Sequence, residues 1–139
     1  MKTVYTYGVF DLLHNGHAEL LKEAKALGDR LIVGVFTDEV AESFKRKPLI
    51  SQDERMALLR ELRSVDQVVL QDELDPSKNF VAYEADVLVK GPGAGWEVGK
   101  AWEAIPGYNT VKTLGKEIHV LNYHAGVSTT ELIEKIKKL

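Results

Sequence analysis

Cysteine is absent from the 139 residues. That excludes disulfides, thiolate metal ligands and a cysteine nucleophile. No apolar run approaches the roughly 20 residues that span a bilayer. The N-terminus, MKTVYTYGVF, has neither the apolar core nor the small-residue cleavage site of a signal peptide. The expected location is therefore the cytoplasm, with no membrane partner. An excess of positive charge is also missing. The net charge is −3, so nucleic acid is not an expected partner. Internal repeats and linkers are lacking too. What remains is 45% apolar and 28% charged, an ordinary globular composition. The length suits one domain, residues 1–139, around a single core.

Periodicity orders the chain. TVYTYGVF reads as a buried strand. RLIVGVF is a near-continuous apolar strand of the kind covered on both faces in a parallel sheet. QVVL, DVLVKG and EIHVLNY read as further strands. From Gly16, the residues Leu20, Leu21, Ala24 and Leu27 recur at helical spacing, and Gly28 suits a stop. SQDERMALLRELRSV opens with a capping box, Ser51 and Glu54, and continues as an amphipathic helix. DPSKNFVAYEA reads as helical after Pro76, and AGVSTTELIEKIKKL as a final helix with a second capping box at Ser128 and Glu131. KRKPLI is a basic loop, and residues 92–115 form a glycine-rich segment read as irregular. Strand and helix alternate throughout. That predicts an α/β, Rossmann-like domain with a mostly parallel sheet, right-handed crossovers and helices on both faces.

In such sheets ligands bind beyond the carboxyl ends of strands, where helices begin. Two of the four histidines, His14 and His17, lie at such a point in GVFDLLHNGH. A helix start presents free N–H groups to an anion. Gly16 would let a phosphate approach, and both imidazoles flank the same first turn. A second such turn, HAGVSTTE, offers Gly126 and the hydroxyls of Ser128, Thr129 and Thr130. The basic run Lys45, Arg46 and Lys47 would close over both, which makes a polyphosphate cradle. Each piece alone has a plainer reading: polar surface for the histidines, a capping box for STTE, a solvated turn for KRK. A zinc site at His14 and His17 lacks a third ligand. His119 reads as structural, and His124 as a candidate phosphate or acceptor contact. Trp96 and Trp102 read as core or as stacking surfaces.

GVFDLLHNGH, then RSVD, then ADVLVKG, then GVSTTELI resembles the HxGH nucleotidyltransferase superfamily over nearly the whole chain. The combination resembles the small cytidylyltransferases, those acting on glycerol 3-phosphate, choline phosphate and ethanolamine phosphate. GDRLIVGV, DVLVKG and VLNYHAGVSTTELI are also similar to the adenylyltransferase domain of ADP-heptose synthases. The resemblance implies magnesium-dependent transfer of a nucleotidyl group, with CTP as the first-choice nucleoside triphosphate, to a small phosphorylated alcohol. The alternative it implies is adenylyl transfer to a sugar 1-phosphate. His14, His17, Lys47 and Arg63 would be catalytic. Val9, Phe10, Asp11, Gly16, Gly126, Val127, Ser128, Thr129 and Thr130 would hold the nucleotide, Asp11 also the Mg2+ ion. Arg63 would sit at the phosphate site and a homodimer contact. The chain departs from the glycerol-phosphate pattern at Tyr123 and Phe44, where basic residues are expected, and in residues 91–111, which lack the acidic D-D-W-x-G. Trp96, Lys100, Trp102 and Tyr108 would supply replacement acceptor contacts. A non-catalytic nucleotide-binding regulator is the reading of another class, and His14, His17, Lys47 and Arg63 argue against it.

Overall fold

The structure, a computed structural model, describes residues 1–97, 99–122 and 128–139. Five strands, β1 (Thr3–Gly8), β2 (Arg30–Phe36), β3 (Gln67–Gln71), β4 (Val87–Lys90) and β5 (Glu117–Val120), form one sheet. All pairings are parallel, in the order β3-β2-β1-β4-β5. Helices α1 (Asn15–Lys25), α2 (Asp38–Phe44), α3 (Gln52–Arg60), α4 (Ser77–Ala82), α5 (Tyr108–Thr113) and α6 (Thr129–Lys137) complete the described residues, with a short 3-10 turn at Trp102–Ala104.

Strand alternation divides the core in two. Val4, Leu31, Val33, Val35, Val87 and Val89 face one side and pack with Leu21 and Ala24 of α1 and with Met56 and Leu59 of α3. Tyr5, Tyr7, Ile32, Phe36 and Leu88 face the other, with Phe80 of α4, Val111 of α5 and Trp96. Helices thus cover both faces, as the run of apolar strands predicts. The crossovers through α1 and α3 lie on one face and those through α4 and α5 on the other. They part between β1 and β4, and a crevice opens at the carboxyl ends of those two strands.

A polar thread crosses the second core. The Tyr5 hydroxyl donates to Gln71 Oε1 at 2.5 Å and accepts from Asn79 Nδ2 at 3.0 Å. Gly34 on the intervening strand makes room for it. A Cβ there would stand 2.0 Å from the hydroxyl oxygen.

Two elements depart from the periodicity. α2 has only Ala41 fully buried, with Val40 and Phe44 partly buried beside it against the same core. It is started by Thr37, whose side chain accepts from the Val40 N–H. α5, inside the segment read as irregular, follows Gly107 in the left-handed region (φ 89°) and buries only Val111.

Candidate active site

The crevice is a cavity of about 320 Å³, a size suited to a small ligand. Its walls come from the β1–α1 turn, the loop after α2, the loop after β4 and the start of α6.

The two histidines build the first wall. His14 is the N-cap of α1, and its Nδ1 accepts from the Gly16 N–H at 3.0 Å. His17 Nδ1 accepts from the His14 N–H at 3.2 Å. This is a reciprocal capping box with imidazole in both seats. The rings stack at 3.9 Å between centroids, and the Phe10 ring meets His17 edge-on at 5.5 Å. Because each Nδ1 accepts, the ring proton of the neutral form sits on Nε2. Burial lowers both pKa values, that of His17 to about 3 with help from His14 and Lys45. At neutral pH the pair is therefore two uncharged Nε2–H donors. Gly16 gives its N–H to the cap rather than to an anion.

The turn before them is clamped. Leu49 N–H and Ile50 N–H donate to the two carboxylate oxygens of Asp11, both at 2.9 Å. Thr129 Oγ1 donates to the Asp11 carbonyl at 2.8 Å. Arg55, 1% exposed, donates to Val9 O at 2.6 Å, Ile50 O at 2.9 Å and Asp38 Oδ1 at 2.6 Å. Phe10 and Leu12 sit at φ 56° and 48°, a conformation that non-glycine residues hold only when their surroundings enforce it. Asp11 thus acts as a strut of the turn, each carboxylate oxygen accepting one backbone N–H. Among the described residues no group of three acidic or histidine side chains could hold a metal. Arg55 is the residue that sequence reasoning missed here. Its signal was a lone arginine in phase with Met56 and Leu59 on the buried side of α3.

The remaining expected residues divide. Val9, Phe10, Asp11, His17 and Thr129 line the cavity, and His14 lies against His17. Of the basic loop, Lys45 and Arg46 line it; Lys47 is exposed and does not. Arg63 is exposed in the turn between α3 and β3. The nearby Asp66 N–H bonds Leu31 O at the start of β2, so Arg63 lies at the amino end of the sheet, away from the cavity. Parallel strands force this, since a crossover helix that starts at the site must end at the opposite edge. Ser128 caps α6 by accepting from the Glu131 N–H at 3.1 Å. Thr130 is exposed, and the Thr129 hydroxyl is spent on Asp11. Gly126 and Val127, with Tyr123 and His124, lie outside the described residues. Trp96 is core, its Nε1 donating to Ala101 O at 2.9 Å. Trp102, Lys100 and Tyr108 are not in the cavity lining. The segment contributes Gly91 to Gly95 and Glu97 instead.

Lys90 was also missed. It ends β4, is 2% exposed and lines the cavity. Its Nζ donates to Gly91 O and Gly93 O, both at 2.6 Å, and lies 5.6 Å from the Tyr7 ring centroid. Burial lowers its pKa to about 8, against the opposing pull of Glu97. The signal in DVLVKG was phase: Lys90 points to the same side of the sheet as Leu88.

The family model described as cytidylyltransferase-like matches residues 5–135. The bifunctional protein HldE of Helicobacter pylori (strain ATCC 700392 / 26695) is 39% identical over 143 residues, covering 99% of this chain and 28% of that one. HldE of Vibrio cholerae (strain ATCC 39541 / Classical Ogawa 395 / O395) is 44% identical over 138 residues, covering 98% and 28%. The chain thus spans little more than a quarter of the curated relatives it matches. Among solved structures, a lipopolysaccharide core biosynthesis protein from Thermoplasma volcanium superposes with a TM-score of 0.71 at 31% identity, covering 89% of this chain and 97% of that one.

Proposed function

The chain belongs to the cytidylyltransferase-like family, and from that premise we propose that it is a nucleotidyltransferase that moves an adenylyl group from ATP to a sugar 1-phosphate of the heptose type. The observation that carries the transfer chemistry is the His14–His17 capping box, two stacked neutral imidazoles with His17 at a cavity that Lys45, Arg46 and Lys90 also line. The choice of ATP and a sugar phosphate over CTP and a glycerol-type acceptor rests on two supports. The relatives named HldE match nearly the whole chain, and the sequence is similar to the adenylyltransferase domain of ADP-heptose synthases. CTP, the first expectation, has less support than this alternative. A homodimer belongs to the same proposal.

A phosphate oxygen of the acceptor attacks the α-phosphorus in line. The bond from that phosphorus to the bridging oxygen of the β-phosphate breaks, and pyrophosphate leaves with the electron pair. The acceptor is ionised at pH 7, so no strong base is needed. The protein supplies alignment and donors placed where charge develops. Magnesium in this reading arrives on the triphosphate oxygens.

The test is pyrophosphate release across the four nucleoside triphosphates and a panel of heptose 1-phosphate, glycerol 3-phosphate, choline phosphate and ethanolamine phosphate. ATP with heptose 1-phosphate is expected to turn over best. CTP with glycerol 3-phosphate as the preferred pair would overturn the substrate assignment. Nucleotide binding with no turnover of any pair would favour the regulator.

A further inference from the structure

The loop after β4 walls the cavity from Gly91 to Gly95, and its shape is not one a free chain keeps. Gly93, Ala94 and Gly95 have φ of 90°, 53° and 86°. Three such residues in a row, one of them bearing a Cβ, persist only where neighbours impose the conformation. Glycines also have more backbone freedom to lose on ordering than other residues. Two fasteners oppose that freedom. Trp96 plugs the far end. Its ring is 1% exposed, its Nε1 donates to Ala101 O at 2.9 Å, and its backbone N–H donates to Gly93 O at 3.2 Å. Lys90 holds the near end, its Nζ donating to Gly91 O and Gly93 O at 2.6 Å each. The Gly93 carbonyl therefore accepts from both fasteners.

The ammonium is used up inside the protein. Two carbonyls take its hydrogen bonds, and the Tyr7 ring centroid lies 5.6 Å away, within cation–π range. A buried charge is costly, and a methionine would fill the same space without one. What the charge gains is bond strength, since a charged donor bonds a carbonyl roughly twice as strongly as a neutral one.

We infer that Lys90 is a positioning residue for the transfer: its ammonium pins the Gly91 and Gly93 carbonyls and so holds the loop after β4 as a fixed wall of the cavity, touching neither substrate. The kinetic part of the inference rests on the proposed transfer; the pinning does not. The same loop carries Glu97, which acts electrostatically on Lys45 of the basic loop, so a slack wall would also change the field around Lys45. The pinning depends on pH. Burial lowers the Lys90 pKa to about 8, with Glu97 opposing. Above that value the amine is neutral and its two bonds weaken. The groups that face it are the Tyr7 ring from β1, whose hydroxyl burial pushes far above its ordinary range with Asp75 adding to the shift, and Glu97 from the same loop.

The test reads the loop first and catalysis second, on the full chain. With Trp102→Phe as the parent, Trp96 is the sole indole, and acrylamide quenching of its fluorescence reports how well it is shielded. Lys90→Met in that parent should raise the quenching constant by about threefold or more, the mark of a locally opened loop. Its denaturation midpoint should stay level or rise, because a buried charge has been removed. Quenching equal to that of the parent would overturn the pinning. A midpoint that falls together with the shielding would make Lys90 an ordinary core residue and would overturn the positioning role. The parent gives a second reading that needs no change at Lys90. Its shielding should fall between about pH 7 and about pH 9 as the charged bonds become neutral ones, and Lys90→Met should show no such step. A flat parent profile would refute the pinning. With ATP and heptose 1-phosphate, kcat of Lys90→Met should fall by about tenfold or more, the scale of a small misplacement of reacting groups. Parental kcat with an unshielded Trp96 would refute the positioning role. If the parent itself does not convert that pair, the substrate assignment has failed, and the quenching and pH readings still decide the pinning.

Discussion

His14 and His17 do two jobs with different atoms. Nδ1 of each closes the helix cap, which leaves Nε2 as the proton-bearing atom. The jobs can therefore be separated by substitution. Serine is a good N-cap, and glutamine at the third helical position completes the box. The double variant His14→Ser/His17→Gln should keep a melting temperature within a few degrees of the wild type. Its kcat should fall by about 10²-fold or more, the scale of losing a preorganised donor. Near-normal turnover would show that the imidazoles only cap. The fold around them was legible from HNGH at a strand end. Their tautomer was not, because it depends on which nitrogen meets a backbone N–H, and spacing is silent on that.

At the scale of elements, β2 depends on a residue with no side chain. Gly34→Ala would drive a methyl against the Tyr5 hydroxyl and displace it from Gln71. We expect a loss of about 2–4 kcal/mol by chemical denaturation, from overpacking and a broken buried hydrogen bond. Tyr5→Phe in the same chain should recover part of that loss, so the two changes should be far from additive. Fully additive losses would mean that the clash is relieved elsewhere. The strands themselves were readable because both faces are buried and the apolar runs are continuous. α2 and α5 were not, because at 7 and 6 residues each is under two turns long, too short for a periodic pattern to stand out. At the site, Arg63 and Lys47 were placed by motif and fell outside the cavity. Lys90 and Arg55 were legible only as charges in phase with core residues, a signal that gains meaning once the strand order is known.

For the whole molecule, the buried imidazoles set a pH limit. The folded His17 pKa is about 3, against an ordinary value of about 6.5. Between those values the unfolded chain takes up a proton that the folded chain refuses. Stability therefore falls as pH drops through that window, by up to about 1.4 kcal/mol per pH unit, and the effect vanishes above it. His14 is shifted the same way and adds to the trend. Denaturation at pH 7.5 and 5.0 should show the wild type losing more than His14→Ser/His17→Gln does, since carboxylates common to both cancel. Equal losses in the two proteins would contradict the burial of the pair.

The bond from Thr129 Oγ1 to Asp11 O joins residues 118 positions apart. Every strand of the sheet is complete by Val120, so the scaffold and the finished site are separated in time during synthesis. The sheet can assemble while the chain is still emerging, with the β1–α1 turn in place but one wall of the cavity missing. Only once α6 has been made can the Thr129 hydroxyl reach back to Asp11. A nascent copy therefore has its sheet before it has the α6 wall of its pocket.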